Sequence, residues 1–318
     1  MNAATDTTEA FATPAATRAT RPFYWSVRRE LWENRSLYIA PLVAAGVMLL
    51  GLIMSSLHLP GEIPVPNPDK LRNAVVGVSL FIGILVVLTT ALATAFYSLD
   101  ALHSERRDRS ILFWKSMPVS DLTVVLTKLF TALVVAPAIA FVIVLASQLL
   151  VVLLSTAILP LHGVSPAPIW TSAQLFQLPF ALLYTLAALA LWYAPIYAWL
   201  LLVSAWAKRS TFLWAILPPV AVIMFERVAI DTNYFGDMLW YRLSYGLKAA
   251  FEGGVPRGGI VVEGQGAEAG ASIHVPDQVL HVLNPVQFLS NPWLWVGLAA
   301  AATFVAAAVW MRRYREPL

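Results

Sequence analysis

The densest ionic chemistry in this chain lies in five consecutive residues, Glu105, Arg106, Arg107, Asp108 and Arg109. An apolar and aromatic run, Ile111, Leu112, Phe113 and Trp114, follows, and then the breaker Pro118. Acids and bases in this mixture form ion pairs; they make no nucleophile and no proton relay. Each Arg or Asp at the centre of a bilayer costs about 3 kcal/mol on insertion scales, so this segment must stand outside hydrocarbon. A loop that only enforced topology would need neither the acids nor Phe113 and Trp114. The residue types therefore suit a surface that grips a partner. Leu102, Glu105, Arg106, Arg107, Asp108, Arg109, Ile111, Phe113 and Trp114 are the candidate docking residues.

Other chemistries are missing from the sequence. It has no cysteine, which removes disulfides, thiolates and Cys-based zinc sites. It has no G-x-x-x-x-G-K-[ST] run, no H-E-x-x-H and no G-x-S-x-G. The five histidines, His58, His103, His162, His274 and His281, are scattered, so no metal site is expected. Gly253, Gly254, Gly258, Gly259, Gly264 and Gly266 read as a linker, with no Lys-Ser or Lys-Thr after them to hold phosphate. The chain is not expected to be an enzyme by itself. Glu226 and Arg227 form an acid and base pair at the end of an apolar run, about 20 Å from Phe212 at 1.5 Å per helical residue. They are candidates for an interfacial pair or an outer gate. Gln148, Tyr184, Tyr193 and Tyr197 are candidates for lining a pathway, with interhelical hydrogen bonding as the alternative.

The elements that must position these residues are membrane spans. The chain of 318 residues is 59% hydrophobic and only 12% charged, with mean hydropathy +0.70. Soluble domains carry about 25% charged residues, so a polytopic membrane protein is expected. A net charge of +3 leaves no footprint for nucleic acid. Six apolar runs are long enough to cross about 30 Å of hydrocarbon as helices: 37–57, 73–97, 122–159, 175–206, 211–230 and 293–311. The third and fourth exceed one crossing, and Pro218-Pro219 interrupts the fifth. Four residues, 207–210, join the fourth and fifth, which makes them antiparallel neighbours. Pro137, Pro179 and Pro195 are candidate hinges.

The charged loop lies between the second and third runs. Leu99 and Leu102 are one turn apart, and Glu105 precedes Arg109 by four, which favours a short helix. Pro118 disfavours helix at Met117, and Ser120 or Asp121 can cap the third span. Of 21 Lys and Arg residues, only Lys70, Arg72, Arg227, Arg242, Lys248 and Arg257 fall outside if the N-terminus is inside. The positive-inside rule thus places both termini and the charged loop in the cytoplasm.

The fold expected is all-α. Residues 1–21 read as a disordered cytoplasmic tail with no removable signal peptide, and 22–36 as an interfacial helix opened by Pro22. Phe23, Val27 and Leu31 recur at spacing four in that helix, as do Arg29 and Glu33. Residues 37–318 form the six-span domain, with a short cytoplasmic coupling helix between spans 2 and 3. A Pro-rich extended connector is expected over 58–72. An extended outer segment of about 231–291 lies before the last span. It opens on an amphipathic helix within TNYFGDMLWYRLSYGLKAAF and closes on a second short helix ending near Asn284-Pro285.

The stretch SERRDRSILFWKSMPVSDLTVVLTKL resembles the loop after the second span in bacterial ABC-transporter permeases of the type-two exporter class. In that family an E-R-R-x-x-S-[IL]-L-F-W-K-S-x-P-V-S-like run recurs. Glu105, Arg106, Arg107, Ser110, Ile111, Leu112, Phe113, Trp114, Lys115, Ser116, Pro118, Val119 and Ser120 match it. Arg109 departs from it, since small residues are frequent there. The six spans, the interfacial helix and the extended outer segment agree more loosely. The resemblance implies a subunit of the bacterial inner membrane, paired with a second copy or a related permease and surrounded by lipids. It implies coupling through this loop to a separate ATP-binding subunit, which would hold ATP and Mg. The apolar, aromatic spans suggest a lipidic, amphipathic or peptide-like cargo. A different class of function is a non-transporting scaffold or sensor, in which segment 231–291 binds a ligand and the loop recruits a cytoplasmic partner.

Overall fold

The computed structural model describes residues 22–57, 68–108, 120–251, 280 and 283–314. The expected tail 1–21, the linker glycines, and Arg109, Ile111, Phe113 and Trp114 lie outside the described residues. Among the described residues there is no strand, and six helices are long and apolar enough to cross a membrane. They bound the six apolar runs read from the sequence.

Helix α1 (Pro22–Glu33) is followed after a two-residue break by α2 (Ser36–Leu57), the first span. The second span is α3 (Pro68–Asp100), continued through a turn into α4 (His103–Arg107). Residues 68–72, expected in the extended connector, are helical instead. Pro68 suits a first helical position, Asp69 favours the positive end of the helix dipole, and Arg72 pairs with Asp69 at 3.5 Å. The third span joins α5 (Asp121–Phe130), a π turn (Thr131–Val135) and α6 (Ala136–Ile158). The wide turn sits just before Pro137, whose missing N–H and ring oppose a regular helix there.

A single-turn helix α7 (Ala167–Trp170) leads to α8 (Ala173–Trp206), the fourth span. A tight turn, with Ser210 in the left-handed region at φ 50°, returns the chain into α9 (Thr211–Phe225) and a π turn (Glu226–Ile230). Trp206 meets Trp214 with ring centres 4.7 Å apart, so these two spans are the antiparallel neighbours expected. Then come α10 (Tyr234–Ser244) and α11 (Gly246–Phe251), which divide the expected amphipathic helix in two. The helix expected to end near Asn284-Pro285 begins there instead, as α12 (Pro285–Ser290). Asn284 accepts the Gln287 N–H, and Pro285 takes the first position, where no N–H is needed. The last span is α13 (Pro292–Tyr314).

Packing follows from small and branched residues. Ala45, Val76, Val86, Ala140, Val144 and Val151 form the main core between α2, α3 and α6. Ala205 packs with Ala308, Ala198 with Ala301, and Trp192 with Leu294, so α8 and α13 run parallel with close backbones. Buried hydroxyls turn back on their own helix: Thr90, Thr94 and Ser98 donate to carbonyls four residues earlier. Successive spans alternate in direction. The end of α1, all of α4, the start of α5 and the end of α13 therefore share one end of the bundle.

Candidate functional site

Each of those four elements brings a charge to the shared end, and five side chains fuse into one buried cluster. Glu30 comes from α1, Glu105 from α4, Asp121 and Lys128 from α5, and Arg312 from α13. The Lys128 ammonium sits between two carboxylates, 2.8 Å from Glu30 Oε1 and 3.0 Å from Glu105 Oε1. The Arg312 guanidinium bridges the other oxygen of Glu105 and, through Nε, Asp121 Oδ1 at 3.0 Å. The Tyr97 hydroxyl of α3 donates to Glu30 Oε2 at 2.9 Å. Glu30, Glu105, Lys128 and Arg312 are all buried. Acid and base alternate along the row, so each buried charge touches at least one opposite neighbour, the arrangement low dielectric demands.

Helix α4 is held on its other side by the end of α8. Ser204 Oγ accepts from the Leu102 and His103 N–H groups at 2.9 Å each. Arg106 donates to the carbonyls of Ser204 and Ala207, a cation placed on the negative end of a helix. Of the residues expected to dock, Leu102, Glu105 and Arg106 are buried within the chain. Leu102 packs with Val125, Ala205 and Ala308, and the two charges are spent inside the protein. Arg107 and Asp108 point out, with side chains 60% and 62% exposed, and pair with each other. Between the two expected caps, Ser120 accepts from the Thr123 N–H, which frees Asp121 to reach Arg312.

Lys128 carried the sequence signal that mattered. It lies within the apolar run 122–159, where an ionisable side chain needs a partner. Glu30 and Arg312 gave no such signal, because both lie in amphiphilic flanks where charge is ordinary. Their meeting depends on contacts 98 and 207 residues apart.

At the opposite end the candidate gate and pathway residues other than Arg227 make hydrogen bonds to neighbouring elements. Glu226 accepts from the Tyr234 and Phe235 N–H groups at 2.8 and 2.9 Å and so caps α10. Among the described residues it makes no pair with Arg227, which is exposed. Tyr184 donates to the Ala250 carbonyl, Tyr193 to that of Leu243 and Gln148 to that of Leu175, each within 2.8–2.9 Å. Tyr197 reaches the Ala91 carbonyl at 3.4 Å. Trp192, Tyr241, Tyr245 and Phe288 close an aromatic cluster that binds α10 and α12 to α8. Arg242 of α10 lies over the Trp192 ring, and burial draws its guanidinium below the ordinary value. Among the described residues no group of His, Asp and Glu could hold a metal ion.

No protein-family model, no curated protein and no solved structure matches this chain. The fold and the cluster define a multi-pass helical membrane protein with a charged, internally braced end.

Proposed function

We propose that this chain is the membrane subunit of an ATP-driven exporter, working with a separate ATP-binding subunit and a second membrane subunit. The observation that carries the reading is the bracing of α4 by Glu105. A short charged helix between two spans would be a poor lever if it could swing freely. Here Glu105 ties it to α5 and α13, Arg106 and Ser204 tie it to α8, and Lys128 ties it to α1. A push delivered beside Arg107 and Asp108 therefore reaches four long helices and α1 together. Among the described residues no carboxylate sits midway along a span, which supports a motor in another chain. In this reading the cluster end faces the cytoplasm of a bacterial cell, and ATP and Mg belong to the partner.

The test is purification in mild detergent, with mass spectrometry of co-purifying proteins, for wild type and R107E. A nucleotide-hydrolysing subunit is expected with the wild type and depleted about ten-fold with R107E, the loss of one charged contact of about 1.4 kcal/mol. R107E should keep its thermal midpoint, because the side chain is exposed. Recovery of a signalling protein and no nucleotide-hydrolysing subunit would support the scaffold reading instead.

A further inference from the structure

Among the described residues no acid pairs with Arg242, unlike the charges of the Glu105 cluster. Its Nη1 donates to the Trp293 carbonyl at 2.9 Å, and its guanidinium carbon lies 4.5 Å from the centre of the Trp192 ring. Nη2 is buried and has no hydrogen-bond partner among the described residues. Two acids of the same end are engaged elsewhere: Asp237 accepts from Asn233 at 2.8 Å, and Glu226 caps α10. The backbone around the arginine is held rigidly. Trp192 Nε1 donates to the Arg242 carbonyl, and the Tyr193 hydroxyl donates to the Leu243 carbonyl, both at 2.9 Å. The guanidinium rests on the bare face of α13 at Gly297, where an added Cβ would lie 1.4 Å from Nη2. The absence of a side chain at 297 is therefore what admits the charge.

The position of this cation selects its ligand. Gly297 is five residues past Pro292, so the guanidinium sits about 7 Å inside the start of the last span. Taking the start of α13 as the edge of the bilayer, that depth is the boundary between headgroups and acyl chains. Trp240, Trp293 and Trp295, on the same two helices, are exposed, as a membrane-interface belt requires. Arg242 is only part-buried, and the exposed Nη1 side of its guanidinium suits an anion at the level of the phosphates.

We propose that Arg242 is the cationic centre of a binding site for the phosphate of a phospholipid headgroup, at the Pro292 end of α13. The rings of Trp293 and Trp295 flank the acyl chains, and the N–H groups on the exposed Nη1 side of the guanidinium take the phosphate oxygens. The site pins α10 and α13 to one leaflet. It rests on the membrane-spanning reading alone and is independent of any ATP-binding partner.

The full chain in neutral detergent is titrated with dioleoylphosphatidylglycerol, and bound lipid is counted by native mass spectrometry. Wild type is expected to bind it, with affinity about ten-fold weaker in R242Q. Dioleoylglycerol, which lacks phosphate, should not bind at this site. Glycerol 3-phosphate at equal concentration should not compete, because it brings no acyl chains. Equal lipid affinity in wild type and R242Q overturns the proposal, as does full competition by glycerol 3-phosphate, which would assign the site to a soluble anion. Should R242Q not fold, R242K in the same titration decides. It keeps the charge and loses the fork, and a loss of about three-fold is expected; unchanged affinity overturns the site.

Discussion

Replacing Lys128 with Met is the most informative single change to this molecule. The ammonium has two carboxylate partners, at 2.8 and 3.0 Å, and all three groups are buried. Met fills nearly the same volume and introduces no polar atom, so the loss is one of charge. It leaves Glu30 and Glu105 facing each other across less than the sum of those two distances. At an effective dielectric of about 20, two like charges roughly 6 Å apart repel by about 3 kcal/mol. Breaking a buried pair by removing one partner costs about 3–5 kcal/mol, and the two figures agree. K128M is therefore expected to lose about 4 kcal/mol in denaturant unfolding of the purified protein. The double variant E30Q/K128M removes one of the opposed charges. Its loss should be at least about 1 kcal/mol smaller than the sum of the two single losses, the mark of direct coupling. A K128M protein within about 0.5 kcal/mol of wild type, or strict additivity in the double variant, would refute the buried cluster.

At the opposite end, E226A removes the acceptor for two N–H groups at the start of α10 and should cost about 1–2 kcal/mol. Amide exchange at Tyr234 and Phe235 should accelerate about ten-fold, whereas R227A should leave both rates unchanged; equal effects would mean that the cap is not Glu226. Y193F leaves the Leu243 carbonyl without its donor and should cost about 1 kcal/mol, with faster proteolysis between 231 and 251. If Tyr193 instead lined a pathway, Y193F would alter transport while thermal midpoint and proteolysis stayed as in wild type.

The helical architecture was legible in the sequence because hydrocarbon imposes it. Runs of about 20 apolar residues have one good conformation in lipid, since only a helix satisfies its backbone from within. The run 211–230, broken by Pro218-Pro219, still forms one span for that reason. Local signals also served: Ser120 caps α5, and Arg29 reaches Glu33 four residues on. Signals that depend on context did not. Asn284-Pro285 begins a helix and does not end one, because the same two residues cap a helix that starts there.

Charge was the quantity that sequence left undivided. Composition alone placed Glu105, Arg106, Arg107 and Asp108 outside hydrocarbon and made them one group. Only the folded chain separated them, turning Glu105 and Arg106 inward and Arg107 and Asp108 outward. A five-residue helix has no periodicity strong enough to declare its buried face. That face is chosen by Lys128, Arg312 and the carbonyls at the end of α8, all remote in sequence. Hydrophobicity is a property of each segment and can be read along the chain, whereas ion pairing belongs to groups that meet only after the spans have packed.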